Sequence, residues 1–287
     1  MEIGLKYNID LVEDVKNILA QDFWVYCHFV ATMIPKITDP LKFTSNCSIF
    51  VKEGNGKIEI DLMPYEFKGP CIVNIRQGQI LQYAEFNKNF EASFLVLSKR
   101  FCDNLFVLLK DCASYGTASL NQVTSIPENL VGKFENFYSH VREIFEGSKD
   151  SNAYQAMVLA IASFFYECGT ECYPPVINKN NKTTNRLTEQ FISLVQQHFK
   201  KERFLDFYAS KLEMSTKHLS RSVKEVTGFS AVDWIDRFII LEAKVLLKST
   251  TLSIQQISDE LNFTSQSFFG KYFKKHTGKS PKDFRNS

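Results

Sequence analysis

Apolar residues recur every three or four positions through the last third of the chain, a spacing that predicts amphipathic helices. One helix-turn-helix pattern occurs twice in this region. In each copy a short helix, Leu205 to Glu213 or Ile254 to Leu261, leads into a turn, and a serine then begins a second helix. From Leu219 onward equivalent residues lie 50 positions apart, so that Gly228 matches Gly278. Two adjacent copies indicate one bipartite module rather than a long repeat array.

The second helix of each copy carries a polar and largely basic face. Helical spacing turns Leu219, Val223 and Val226 inward in the first copy, and Phe269 and Phe273 inward in the second. The residues left facing outward are Lys217, Ser220, Arg221, Lys224, Gln266, Ser267, Lys271, Lys274 and Lys275. A capped helix with Arg, Lys, Gln and Ser outward has the side chains that read base edges in a major groove. A solvated basic face is the alternative for one such helix, but the tandem repetition favours DNA.

The region from about Arg186 to Arg285 resembles the DNA-binding domain of AraC/XylS-type transcription regulators. The most specific stretch runs from Ser253 to Arg285 and matches the family signature nearly position by position. The family usually has glycine where Glu213 and Asn262 stand; Asn tolerates the left-handed backbone found there, and Glu does so less readily. Gly270 stands where the family often has a small polar residue, so we expect no base contact there and a locally weaker helix.

A long helix is predicted between the two copies, from about Ala231 to Lys248. Two helices that enter successive major grooves on one face of DNA lie about 34 Å apart. A rigid helix can set that separation, whereas a loop cannot. A further helix from about Arg186 to Phe199 precedes the first copy and completes the expected module.

The first half of the chain shows the alternation typical of β-strands. Ser48 to Val51 and Lys57 to Leu62 flank a hairpin turn at residues 53–56. Further strands are expected at residues 23–34, 71–75, 80–86 and 92–97. Short strands at this spacing predict a small barrel or sandwich, and the resemblance implies a cupin-like barrel. The expected fold class is therefore α+β, with an N-terminal cupin-like β-barrel with amphipathic helices and a C-terminal all-α tandem helix-turn-helix domain.

Two amphipathic helices follow the predicted strands. Ser125 and Glu128 form a capping-box pattern with Pro127 in the first turn, and the second helix spans about Asn152 to Cys168. The first of these helices carries a continuous apolar stripe made of Leu130, Phe134, Phe137, Val141 and Ile144. Such a stripe packs into a core or, as the resemblance implies, forms part of a dimerisation surface. The sequence leaves both alternatives open.

Length and charge divide the chain into two parts. A chain of 287 residues suits two domains. We expect a cupin-like regulatory and dimerisation domain at 1–172, an Asn- and Lys-rich linker at 173–185 and the DNA-binding domain at 186–287. Residues 183–287 carry 17 basic and 11 acidic side chains, a net charge of +6, whereas residues 1–182 carry 17 and 21, a net charge of −4. A basic module beside an acidic one fits nucleic-acid binding by the C-terminal part.

Residue patterns that support catalysis or metal binding are sparse. His28 and His140 are the only histidines before residue 183, and the sequence has no phosphate-binding or dinucleotide-binding glycine motif and no G-x-S-x-G. The seven cysteines precede residue 173 and include no CxxC pair, which is typical of reduced thiols in a cytoplasmic protein. We expect no catalytic residue, no cofactor and no metal site. No apolar run reaches about 18 residues, so we expect no membrane contact.

A barrel interior can still hold a small-molecule effector. The polar or aromatic positions on the predicted strands are Tyr26, His28, Phe50, Asn74, Arg76 and Tyr83. They are candidates by residue type and position alone.

These patterns predict a sequence-specific DNA-binding transcription regulator with two recognition helices per protomer in adjacent major grooves. The expected base contacts are Lys217, Ser220, Arg221, Gln266, Ser267 and Lys271. The expected phosphate contacts are Ser215, Lys224, Thr264, Ser265, Lys274 and Lys275. The expected partners are double-stranded DNA, a second copy of the chain in a homodimer, a small-molecule effector and RNA polymerase. The alternative is a protein–protein adaptor that keeps the fold without specific DNA reading, which Glu213 and Gly270 support.

Overall fold

The computed structural model describes residues 22–33, 39–112, 121–147, 152–173 and 183–287. Backbone contacts divide the chain into two compact units. One extends to Val176, and the other comprises Ile177–Ser287 together with the short stretch Asp39–Leu41. The division falls inside the expected linker, whose residues 174–182 lie outside the described residues.

In the residues that the structure describes, the strands all precede residue 126 and form two sheets. They are β1 Phe23–Val30, β2 Leu41–Lys42, β3 Asn46–Glu53, β4 Asn55–Ile60, β5 Met63–Lys68, β6 Cys71–Ile75, β7 Ile80–Phe86, β8 Glu91–Leu97 and β9 Val123–Ser125. The five-stranded sheet has the order β1-β8-β3-β6-β9, and the four-stranded sheet has the order β2-β7-β4-β5. Neighbouring strands run antiparallel, as β3 does with β6 and β4 with β7.

The expected α+β fold class is confirmed, but the barrel is not closed in the described part of the chain. The edge strands β1 and β9 of one sheet form no ladder with the edge strands β2 and β5 of the other. The hairpin predicted at residues 53–56 was wrong, because β3 and β4 belong to different sheets and do not pair with each other. The turn between them instead carries the chain from one sheet to the other. Gly54 has a φ of 91° there, and a Cβ at this position would come within 2.6 Å of the Phe90 backbone, so the turn requires glycine.

Two apolar cores lie on opposite faces of the five-stranded sheet. The core between the sheets takes residues from both of them, for example Val51, Ile60 and Phe67. The other core lies between the five-stranded sheet and a layer of helices. Alternation along β3 assigns the residues to the two sides, because Phe50 belongs to the helix-side core while its neighbour Val51 belongs to the core between the sheets.

The helix layer is made of α1 Lys99–Leu109, α2 Val131–Glu146 and α3 Ala153–Cys172. Helix α1 is not among the elements predicted above. Ser98 caps this helix by accepting the N–H of Phe101 at 3.1 Å, and Phe101, Leu105 and Leu109 are buried one turn apart. That four-residue apolar spacing behind a serine is the signal that identifies the helix.

The helix predicted to start with a capping box at Ser125 starts later. Ser125 is the last residue of β9, where it pairs with Cys71. Pro127 precedes a short 3-10 turn, Glu128–Leu130, that has no side-chain cap, and α2 follows that turn. The capping box does not form because Ser125 is held in the sheet.

The apolar stripe of α2 packs inside its own unit. Leu130, Phe134 and Val141 are between 0% and 2% exposed. Phe137 and Ile144 are partly buried and pack against the same helix-side core. Leu130, Phe134 and Val141 are therefore not available to a partner subunit, and the structure favours the core alternative over the dimerisation surface.

From residue 183 onward the regular elements of the C-terminal unit are helices. Its helices are α4 Thr183–His198, α5 Leu205–Lys211, α6 Thr216–Thr227, α7 Ala231–Ser249, α8 Ile254–Glu260, α9 Gln266–Thr277 and α10 Pro281–Asn286. The long helix α7 packs against α4 and α6 and also against α8, α9 and α10. None of the helices in the described parts of the chain is long and apolar enough to span a membrane.

One inward position of the first repeat was predicted wrongly. Val226 is 40% exposed, while Leu219 and Val223 are fully buried as expected. Ser222 is buried instead. Val226 lies in the last turn of α6. Its spacing continues the inward-facing stripe, but the side chain is left uncovered by the packing at this end of the helix.

Candidate nucleic-acid interface

The second helices of the two repeats, α6 and α9, are called the recognition helices below. They end in the same way. Gly228 and Gly278 follow them with φ values of 79° and 77°. The threonine before each glycine has its hydroxyl 2.8 Å from the carbonyl oxygen four residues earlier. A left-handed glycine at this position stops a helix and turns the chain. The sequence repeat is therefore a structural repeat.

The recognition helices also begin in the same way. The hydroxyl of Ser215 accepts the N–H of His218 at 3.2 Å, and that of Ser265 accepts the N–H of Phe268 at 3.2 Å. Both serines are exposed. A hydroxyl that accepts a capping bond keeps its own proton for donation. Capping the helix and contacting a phosphate are thus compatible roles for these serines.

The side chains predicted to contact DNA lie on the outer faces of the two repeats. Among the predicted base contacts, Ser220 is partly buried and the exposed ones are Lys217, Arg221, Gln266, Ser267 and Lys271. The predicted phosphate contacts, all exposed, are Ser215, Lys224, Thr264, Ser265, Lys274 and Lys275. No carboxylate of the described residues forms an ion pair with the basic members of these sets; ion pairs in this unit involve other residues, such as Lys200 with Glu260. This face is positively charged and open to an anion.

Phe268 is an exposed residue of the interface that the sequence analysis did not single out. Its ring is 53% exposed near the start of α9, next to the fully buried Phe269. The equivalent residue of α6 is His218, which is also exposed. Helical spacing provides the signal, since a residue one step from an inward position points about 100° away from it. An exposed aromatic ring on a recognition helix can contact a thymine methyl group.

Gly270 is equivalent to Ser220 in the first repeat. A Cβ added at Gly270 would meet no atom within 4 Å. Packing therefore does not require glycine at this position. Glycine in a helix interior is about 1 kcal/mol less stable than alanine. Gly270 therefore lowers the stability of α9 although packing would allow a larger residue.

The six strand positions considered for an effector do not converge between the sheets. Tyr83 is exposed, the Arg76 guanidinium donates to Gln122, and the Asn74 amide donates to the carbonyl of Asn121 at 3.3 Å. The space between the sheets is filled by the apolar core. His28 and Phe50 instead line a cleft of about 330 Å³ on the helix side of the five-stranded sheet.

This cleft lies between β1, β3, β8 and α2 and carries charges of both signs. Lys52 pairs with Glu135 at 2.7 Å, and the His28 ring lies 3.0 Å from Glu91. Arg142 also lines it. The strand β1 bulges at this point, where His28 has a φ of 60°. Bulges and left-handed non-glycine residues occur often beside binding sites.

Comparison with known proteins agrees with the helical repeats. A family described as "Helix-turn-helix domain" matches residues 208–287. The Msm operon regulatory protein of Streptococcus mutans is 27% identical over 109 residues, 38% of this chain and 39% of that protein. The arabinose operon regulatory protein of Salmonella typhimurium is 33% identical over 98 residues, 33% of this chain and 34% of that protein. The chain thus spans between a third and two fifths of the length of these relatives.

A solved structure of ToxT from Vibrio cholerae is similar over 92% of this chain and 98% of that chain, with 15% identity and a TM-score of 0.44. The two repeats, their capped recognition helices and the family match define the C-terminal unit as a helix-turn-helix DNA-binding domain. That domain is of the AraC/XylS type. The relatives are named as operon regulators rather than enzymes. In the described residues, no group of three or more His, Cys, Asp or Glu side chains is placed to hold a metal ion.

Proposed function

We propose that this protein is a sequence-specific transcription regulator that inserts α6 and α9 into adjacent major grooves of double-stranded DNA. The observation that supports this most directly is the structural equivalence of the two recognition helices. Two helices with matching serine caps and glycine stops carry exposed basic side chains. Both are packed on the same long helix α7. Two basic helices on one support suit two successive grooves.

The side chains divide by reach and chemistry into base contacts and phosphate contacts. Arg221 and Lys271 are equivalent exposed positions and would favour guanine, while Gln266 would favour adenine. Lys217, Ser220 and Ser267 complete the proposed base contacts. Lys224 and Lys274 are also equivalent and, with Lys275, would hold phosphates together with the hydroxyls at 215, 264 and 265.

Selection from a random DNA pool with the full chain tests this proposal. We expect one enriched motif with two half-elements whose centres lie about 10 base pairs apart, since that is one turn of DNA. Affinity for the enriched site should fall steeply with salt, because phosphate contacts release counterions. A pool that yields no enriched sequence would favour the adaptor alternative, and so would affinity that is independent of salt.

A small effector is the second part of the proposal, and the cleft under α2 is the observation that favours it. We place its binding there rather than between the sheets, because apolar side chains fill the latter space. A cleft with Lys52 and Arg142 beside Glu91 and Glu135 suits a small zwitterion. Exposed ion pairs contribute little stability, so a ligand can replace them at small cost.

Thermal melts of the full chain with each of the common L-amino acids at millimolar concentration test this site. A ligand that binds only the folded state raises the melting temperature. Asn136 lies at the cleft on α2, so Asn136→Trp should fill the cleft and abolish the shift, whereas Gln155→Trp on the exposed face of α3 should leave it intact. A ligand shift that survives Asn136→Trp would exclude the cleft as its site, and no shift with any amino acid would exclude this ligand class.

A further inference from the structure

Two side chains that lie just before the first repeat reach across to the second repeat. They belong to the segment between α4 and α5. The guanidinium carbon of Arg203 lies 3.6 Å from the centroid of the Phe263 ring, and its Nη2 donates to the carbonyl of Leu261. Leu261 is the C-cap residue that follows α8, and Phe263 lies in the turn that leads to α9. Arg203 therefore contacts the turn that orients the second recognition helix.

The contact that Arg203 makes with the second repeat is partly buried. Burial lowers the pKa of its guanidinium, although the group remains charged. The carbonyl that it binds is at the C-terminal end of α8, where the helix dipole favours a cation. Phe263 is itself buried, with its ring 5.1 Å from that of Phe269 and 5.2 Å from that of Tyr272, both on α9.

Lys200 makes a second connection in the same direction. Its Nζ lies 2.6 Å from Glu260 on α8 and 3.5 Å from Glu242 on α7. Glu242 is buried, so Lys200 joins the segment that leads into the first repeat to both the long helix and the second repeat. Burial alone would lower the pKa of Lys200, but the two carboxylates outweigh it and raise the pKa overall. Lys200 and Arg203, with Glu260, Leu261 and Phe263, are called the clamp below.

The clamp supplies a constraint that α7 alone does not. A single helix fixes the separation of two bodies attached along it, but it leaves them free to rock around its axis. A second attachment away from the axis removes that freedom. The clamp is such an attachment, and the Tyr272 hydroxyl adds a 2.8 Å hydrogen bond from α9 to Asp236 on α7.

We propose that Lys200 and Arg203 are specificity-determining residues that fix the angular phase between the two recognition helices. The protein then requires one spacing between the two half-elements of its DNA site. One added base pair moves a half-element along the axis and rotates it by about one tenth of a turn. A rigid pair of helices cannot follow that change, whereas a loosened pair can. This inference rests on the proposed function.

The test compares spacing variants of the DNA site enriched from the random pool. The probes are that duplex and the same duplex with one base pair inserted or deleted between the half-elements. For the full wild-type chain we expect the Kd to rise at least about tenfold on either altered spacing, since part of the specific contact set is lost. For Arg203→Met, which keeps the length of the side chain and removes its charge, we expect that ratio to fall to about threefold or less.

Arg237→Met is the matched control. The Arg237 guanidinium carbon lies 3.5 Å from the Phe229 ring centroid, an equivalent stack that does not reach the second repeat. Arg237→Met should keep the wild-type ratio between the Kd for an altered spacing and the Kd for the selected site, even if it changes the affinity for the selected site. A thermal melt checks folding, and if Arg203→Met is unstable, the exposed pair variant Lys200→Gln with Glu260→Gln gives the same comparison.

The outcomes separate the inference from the proposed function. A wild-type chain that binds all spacings equally overturns the inference while leaving DNA reading intact. So does a folded clamp variant whose spacing ratio equals that of the wild type. Failure of the wild-type chain to bind any DNA overturns the proposed function and the inference together.

Discussion

Glu213 and Asn262 share one backbone conformation, with φ values of 54° and 55°, at equivalent turns of the two repeats. The residue after each donates its N–H to the carbonyl five positions earlier, at 3.0 Å from Met214 to Ala209 and 2.9 Å from Phe263 to Ser258. The turn thus demands a left-handed residue in both copies. Asn accepts this conformation more easily than Glu does, because its short side chain can bond locally.

Glu213→Gly should therefore stabilise the C-terminal unit by about 1 kcal/mol, because the strain of a left-handed glutamate exceeds the entropy cost of glycine. Urea unfolding measures the change. Glu225→Gly, at an exposed position inside α6, is the matched control and should destabilise by about 1 kcal/mol. Two losses of equal size would show that the turn at Glu213 carries no strain.

The base and phosphate assignments predict different patterns of lost affinity. Arg221→Ala should cost about 1–3 kcal/mol on the selected site and much less on unrelated DNA. Lys274→Ala should weaken all sequences alike and reduce the salt slope by about one unit. Gel-shift titrations at several salt concentrations measure both. If Arg221→Ala weakened specific and nonspecific binding equally, Arg221 would be a phosphate contact.

Phe137 distinguishes the core and interface interpretations of the α2 stripe. Its ring stacks on Phe164 of α3 with centroids 4.1 Å apart, and it is partly buried. Phe137→Glu should destabilise the N-terminal unit by about 3 kcal/mol or more, because a packed ring is lost and a charge is left without a partner. Asn136→Glu, exposed on the same helix, should leave the thermal melt nearly unchanged.

Sedimentation of the same variants tests the homodimer that is expected from the sequence. Dimerisation would join two DNA-binding modules and raise avidity by orders of magnitude. We expect the wild-type chain to sediment as a dimer at micromolar concentration through residues other than the buried stripe. A folded, monomeric Phe137→Glu protein would instead restore the stripe as the interface, and a monomeric wild type would exclude the dimer.

Asp61 predicts a pH dependence of stability. Burial raises the pKa of its carboxyl group from 3.8 to about 6, although the N–H of Ile80 donates to it at 2.8 Å. Because the folded pKa lies above the unfolded value, the folded state holds the proton more tightly. The contribution of Asp61 to stability is therefore greatest below pH 4, falls as the pH rises to about 6, and is then constant.

Asp61→Asn removes this dependence and tolerates the φ of 51° found there. Relative to the wild type, the variant should gain on the order of 2 kcal/mol between pH 4 and pH 6.5. Urea unfolding at a series of pH values measures it. Asp103→Asn, an exposed carboxylate on α1, serves as the control. A gain of the same size in both variants would mean that the pH dependence does not come from Asp61.

The sequence by itself determined the features that depend on neighbours along the chain. Helical spacing and serine caps located α6 and α9, and the repeat aligned Gly228 with Gly278, the two residues that end these helices. Turn chemistry located the turn at Gly54, although the pairing of the strands on either side of it did not follow. The same local rules place charged residues outward on a helix, so the exposed basic face of the C-terminal unit followed from the sequence as well.

Only the tertiary structure decided which surfaces meet. The stripe containing Phe134 has the same period whether it faces a sheet or a partner, and the packing of the unit put it inside. Ser125 suited a helix cap, yet pairing with Cys71 holds it in β9. Arg203 and Phe263 lie far apart along the chain and meet because α7 brings the two repeats together. Periodicity reports the environment of each residue but not the identity of its distant neighbours, which the packing of the whole unit selects.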